Sequence, residues 1–312
     1  NAVWDSSTDT LSVGALPGPS LLGSAVGTTP TTLQGDYAAH RVPDIVGSLR
    51  VDQAWGSAQI AAALHEVRTG WYGNNVTGLQ LGAPETKWGF AVLAGVNINL
   101  PWAKGDAFWV EGIYTQGALG YSGISQQNGQ YGHFNRFNGA NTVTGWGLDA
   151  IFGGTTALGV PIIGAPSSTE LTTLWAINAA LQHYWTPTLR TSIFGAYTEV
   201  DFNSTATQYF AGAGTVGPCR TLAGGVGTIL APLPGCDPDF RVYGAGIRTI
   251  WNPAPQFDIG LEVVWTRIES KMDANLVRLT FAGAGGRAPG LYIPQDQEVW
   301  SAIFRMQRNF WP

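Results

Sequence analysis

Between Lys87 and Leu100 the chain alternates with a period of two. Trp88, Phe90, Val92, Ala94, Val96, Ile98 and Leu100 fall on one side, and Gly89, Ala91, Leu93, Gly95, Asn97 and Asn99 on the other. A β-strand sends successive side chains to opposite faces, so this stretch predicts a strand with one continuous apolar face and one small or polar face. The split recurs. Leu171, Trp175, Ile177, Ala179, Leu181 and Trp185 oppose Asn178 and Gln182. Phe257, Ile259, Leu261, Val263 and Trp265 oppose Asp258 and Glu262. Trp300, Ala302, Phe304, Met306 and Phe310 oppose Ser301, Arg305, Gln307 and Asn309, with Arg308 interrupting the apolar side only near its end.

Nine alternating segments are predicted: 44–51, 55–67, 87–100, 106–119, 171–185, 188–202, 240–251, 257–268 and 298–311. The joints between them fall into two classes that alternate. Residues 52–54, 101–105, 186–187 and 252–256 are short; 68–86, 120–170, 203–239 and 269–297 are long. In an up-and-down meander this places every tight turn on one rim and every long loop on the other, the asymmetry of outer-membrane barrels. Pro101, Pro187, Pro253 and Pro255 sit in short joints, where a missing N–H breaks no ladder bond. The run "GWGLDAIFGG" at 145–154 is read as part of a long loop, because a tenth strand there would break the alternation. Residues 1–43 read as a loop on the long-loop, extracellular side, and 44–312 as part of one barrel domain.

Composition changes what each face is expected to meet. Charged residues make up 12% of the 312-residue chain, against about 25% in a typical soluble domain. A soluble sheet would cover its polar face with charge; here that face carries Asn and Gly. There is no run of about 18 apolar residues, so no membrane helix is expected. Trp55, Trp88, Trp102, Trp185, Trp251, Trp265 and Trp311 lie at predicted strand ends, as rings with one wet edge do at membrane interfaces. The formal net charge of −5 argues against a nucleic-acid partner, which would favour a basic stripe.

Sites of chemistry are few. "GAGTVG" at 212–217 matches a dinucleotide-binding pattern formally but runs into "PCR" rather than a helix. His40, His65, His133 and His183 have no ligand spacing, so no metal or cofactor is expected. His183 falls beside Trp185 on the apolar side, a position that suits an interface better than catalysis. Cys219 and Cys236 sit in a Gly/Pro-rich stretch. They are read as a disulfide made in an oxidising compartment, or as two free thiols. No enzymatic constellation is expected: Glu111, Asp258 and Glu262 could be imagined as a hydrolytic pair, but nothing in the sequence supplies a substrate cleft.

The stretches "RVPDIVGSLRVDQAWGSAQIAAALHEV", "KWGFAVLAGVNINLP", "GIYTQGALGYSG", "HYWTPTLRTSIFGAYTEV", "CDPDF" and "FRMQRNFWP" together resemble the α-proteobacterial porins, the general-diffusion porins of Rhizobiales and relatives. The resemblance implies a sixteen-stranded antiparallel transmembrane β-barrel assembling as a homotrimer in the Gram-negative outer membrane, in contact with lipid and lipopolysaccharide. Counted backward from the last strand, the first segment here becomes the eighth. About seven strands and the inward-folded constriction loop are then expected before Asn1.

On that reading the polar face lines a water-filled pore, where rings of side chains set selectivity. By face the candidates are Arg50, Gln59, His65, Asn97, Asn99, Glu111, Thr115, Asn178, Gln182, Arg190, Arg248, Asp258, Glu262, Arg305 and Gln307. The four arginines either face acids across the lumen or pair with them along the wall. The expected function is passive diffusion of small hydrophilic solutes and ions. A sugar-selective variant would need aromatic residues along the lumen, and the alternation alone reveals no clear track of them. The competing readings are an anchoring barrel within a larger membrane complex and a secreted, soluble β-sandwich binding module.

Overall fold

Nine long strands form one antiparallel sheet in strict chain order, each hydrogen-bonded to the next. They are β1 (Ile45–Gln53), β2 (Gly56–Val67), β3 (Lys87–Asn99), β4 (Ala107–Gln116), β5 (Thr173–Thr186), β6 (Leu189–Asp201), β7 (Phe240–Ala254), β8 (Phe257–Ser270) and β9 (Gln297–Arg308). The computed structural model describes residues 3–5, 10–12, 41–68, 72–73, 80–82, 85–124, 133–152, 168–212, 219–224, 232–281 and 288–309. All nine predicted strands occur, within a few residues of their expected ends. Most of 1–43 lies outside the described residues; in the part that is described, Val3–Asp5 pairs with Thr10–Ser12.

The short joints fix the register. Ala54 and Trp55 form a two-residue turn between Gln53 and Gly56. Gly56 holds φ +143°, and a Cβ there would lie 1.9 Å from the Asn97 carbonyl oxygen; only glycine lets β3 approach so closely. Pro187 and Thr188 turn β5 into β6. Between β7 and β8 the joint is shorter than the expected 252–256. β7 continues to Ala254, with a ladder irregularity between Trp251 and Ala254 that takes up Pro253. A bulge tolerates proline because its residue is already unpaired.

The sheet is inside-out relative to a soluble layer. Ile60, Val92, Ile177, Ile193, Ile247, Leu261 and Phe304 are exposed on one face, Ile193 by 56% and Phe304 by 65%. A β-sandwich would bury this face against a second sheet, so the soluble sandwich reading is set aside. Its opposite face is covered only toward the long-loop rim. There Ala63, Ala91, Thr115, Leu174, Val200 and Phe240 form one cross-strand row, all buried.

What covers that row comes from the long joints. Short strands Cys219–Thr221, Val277–Phe281, Gly290–Pro294, Asn141–Trp146 and His133–Asn138 pair, in that order, as a separate five-stranded sheet. Helix α1 (Ser204–Gly212) is capped by Asn203, whose Oδ1 accepts the Ala206 N–H at 2.9 Å. Leu119, Trp146, Leu148, Phe202, Met272, Val277 and Leu279 pack with Leu174, Val200 and Phe240 into one apolar core. Cys219 and Cys236, both buried in that core, are joined by a disulfide with Cα atoms 6.2 Å apart. The segment 145–154 adds no tenth strand to the wall. Its strand pieces belong to the loop layer, where Ala150–Phe152 pairs with Thr169–Leu171.

Candidate functional site: the inner face of the sheet

The outer face carries two aromatic belts. Toward the long loops, Trp175 and Tyr197 lie 4.9 Å apart between ring centroids, Tyr197 and Tyr243 6.0 Å, Tyr243 and Trp265 5.7 Å, and Trp265 and Trp300 6.4 Å. This ladder crosses five consecutive strands, β5 to β9. The polar ends of its rings meet carboxylates: Tyr197 donates to Glu199, Tyr243 to Glu269 and the Trp265 Nε1–H to Glu298. On the turn rim, Trp55, Trp102, Trp185 and Trp251 are exposed. Eight residues separate Tyr243 from Trp251 on β7, about 26 Å at the rise of an extended strand. With a barrel-like tilt that becomes about 20 Å, close to the height of an outer-membrane apolar band.

Of the expected girdle, Trp88 and Trp265 fall on the loop side and Trp55, Trp102, Trp185 and Trp251 on the turn side, while Trp311 lies outside the described residues. Tyr114, Trp175, Tyr197, Tyr243 and Trp300 complete the loop-side belt and were not expected. Their signal was cross-strand register rather than position at a strand end.

The inner face gathers its polar residues in two concave regions. The larger, about 650 Å³, is lined by Arg50, Gln59, Asn97, Glu111 and Asn178 together with Trp109 and Phe194. Register explains the grouping: Arg50 faces Gln59, Gln59 faces Gly95, Gly95 faces Glu111 and Glu111 faces Asn178 along one row. Asn178 Nδ2 donates to Glu111 Oε1 at 3.1 Å. Arg50 forks onto Asp52, Nε–Oδ1 3.0 Å and Nη2–Oδ1 2.8 Å. The smaller region, about 200 Å³, is lined by Arg248, Asp258, Glu262, Arg305 and Gln307. Here Arg248 pairs with Glu262, Arg305 donates to Gln307, and Asn252 donates to Asp258. The arginines of both regions therefore have partners along the wall.

Five candidates lie elsewhere. Thr115 is 0% exposed beneath the loop layer and does not meet lumen water. Near the long-loop rim an inward side chain packs against the loops, and period two cannot foresee that. His65 ties the wall to the loops: its Nδ1 is 2.8 Å from Asp44 Oδ1, while Tyr121 donates to Asp44 Oδ2 at 2.6 Å. That hydrogen bond to a carboxylate pushes the Tyr121 hydroxyl up to about 12. Asn99 donates to the Ala54 carbonyl and Gln182 to the Gly105 carbonyl, so each braces a turn. Arg190 donates to Asn252 and lies 5.8 Å from the Tyr184 ring centroid.

An exposed apolar band between aromatic belts, backed by a polar concave face, is the arrangement of a membrane-spanning barrel wall. A family model described as the porin subfamily matches residues 10–293. The chain belongs to the porin subfamily. Its fold is accordingly all-β, antiparallel and up-and-down, of the porin barrel type, and its place is the outer membrane. No curated protein matches it closely enough to count as a relative. Among solved structures it is similar to the outer membrane channel DcaP of Acinetobacter baumannii, at 15% identity and a TM-score of 0.42. The match covers 94% of this porin but only 60% of that channel's length. Among the described residues of the porin, no helix is long and apolar enough to cross a membrane and no cluster of side chains could hold a metal ion.

Proposed function

We propose that this porin chain supplies part of the wall of a water-filled channel for passive diffusion of small hydrophilic solutes and ions, without catalysis. One observation carries the reading: the sheet exposes its apolar face between two aromatic belts and turns Arg, Glu, Asn and Gln inward. The edges of the sheet support a larger barrel. β1 and β9 do not pair with each other, and an open edge in hydrocarbon leaves backbone amides without partners. Further strands complete the barrel, sixteen in all on the resemblance to α-proteobacterial porins. That resemblance also supports a homotrimer surrounded by lipid and lipopolysaccharide.

Two measurements test this. Native protein extracted in detergent is run heated and unheated on a gel and then reconstituted in planar bilayers. Stepwise ohmic conductance with a heat-sensitive oligomer band is expected. A stable, sealed bilayer at high protein load would leave an anchoring barrel as the better account.

A further inference from the structure

The larger inner-face region holds two aromatic side chains that the pore reading alone does not require. Trp109 on β4 and Phe194 on β6 both face Ala180 on β5, one from each side. Their backbones are thus two strand spacings apart, about 10 Å. The Phe194 ring lies down across Gly246, where a Cβ would come within 2.5 Å of two ring carbons. A ring lying along the wall turns a flat face to the lumen. Ala180 and Gly246 give a low floor beside the two rings.

One step along the strands is a row of hydrogen-bonding groups: Gln59, Glu111 and Asn178. The Glu111–Asn178 pair presents a carboxylate and an amide together. Asn97, directly opposite Trp109, keeps a buried Oδ1 with no hydrogen-bond partner among the described residues. A buried acceptor without a donor is costly, and a ligand hydroxyl would supply one. The charge balance narrows the ligand further. Arg50, the cation lining the region, has its Nε–Nη2 edge forked onto Asp52, so the edge that would clamp an organic anion already holds a carboxylate. Flat apolar faces beside amides and a carboxylate, with the lining cation already paired, suit a solute with C–H faces and many hydroxyls.

We propose that the Trp109–Phe194 region is a binding site for neutral sugars, which makes the channel selective among uncharged solutes. This rests on the channel reading, and it replaces the expectation that the lumen has no aromatic track. Binding of maltotriose to the native detergent-solubilised protein is measured by isothermal titration, with succinate as the anionic comparison and bilayer conductance recorded separately. Maltotriose binding is expected to exceed that of succinate. Trp109→Leu, which keeps apolar bulk without a flat ring, should weaken it at least tenfold, and Phe194→Leu should weaken it too. Heat-modifiability on a gel confirms that both variants are folded. Glu111→Gln is a further variant that leaves the rings in place and should weaken binding through lost hydroxyl contacts. No maltotriose binding, tighter succinate binding, or full affinity in folded Trp109→Leu would each overturn the site. Sugar binding without conductance would keep the site and remove the channel reading instead.

Discussion

His183 Nδ1 lies 2.6 Å from Asp106 Oδ2, while the Tyr184 backbone N–H donates to Asp106 Oδ1 at 2.7 Å. Both oxygens of a buried carboxylate in the β3–β4 turn are thereby held by β5. Burial alone would raise this carboxyl, but the Tyr184 N–H and His183 outweigh it, and the group lies below the usual carboxylate range. A depressed carboxyl stabilises the folded state above its unfolded value, near 3.9, and that contribution fades as pH falls through the folded value. The difference in thermal stability between wild type and Asp106→Asn should therefore be full at pH 7 and shrink below about pH 4. Melting curves followed by circular dichroism at pH 7 and pH 3 measure this difference. A difference unchanged by pH would mean that the carboxylate's charge is not what holds the turn.

The two faces of β6 make opposite predictions. Ile193 is exposed on the apolar side and Ala196 on the lumen side. Ile193→Arg should cost about 2–4 kcal/mol in a bilayer, as cations on the lipid face near the midplane do. Ala196→Arg, with water before it, should change stability little. Urea-driven unfolding from lipid vesicles separates the two, and equal costs would contradict the assignment of the faces.

Removing the Cys219–Cys236 bond by a double alanine substitution opens a loop of 17 residues, a loss of about 3 kcal/mol in the chain-entropy account. The effect should stay in the loop layer. Limited proteolysis is expected to cut between 203 and 297 more rapidly, while the wall keeps its heat-modifiable mobility on a gel. Uniform loss of the folded band would show instead that the layer and wall melt as one unit.

Glu262→Gln leaves Arg248 as a cation without its carboxylate partner on the lumen face. In bilayers with a salt gradient, the reversal potential should move toward anion preference relative to wild type. The shift should be larger at low ionic strength, where screening is weaker. No movement would place this pair away from the path of ions.

The wall was legible in the sequence because period-two alternation is a local signal and lipid makes it strong on one face. β3 can be read from Trp88, Val92 and Ile98 alone. The loop sheet was not legible. Its strands are three to six residues long, and two of its four pairings join segments far apart in sequence, as Cys219–Thr221 does with Val277–Phe281. Pairing of that kind leaves no periodic trace. Alternation also placed Thr115 on the correct side without revealing that the loops bury it. Trp109 and Phe194 escaped notice for a related reason: each is the single aromatic on the inner face of its strand, and only the register through Ala180 makes them neighbours.

Gly290–Pro294 is the central strand of the five-stranded loop sheet, with two strands on either side. A chain made from its amino end cannot complete that sheet until residue 294 has emerged, 14 residues before β9 ends at Arg308. A chain stopped before residue 290 would thus lack the middle of the layer as well as β9 of the wall. Completion of the loop layer is thereby tied to the far end of the wall: without Gly290–Pro294, Leu279 loses Tyr292, its cross-strand partner in the apolar core.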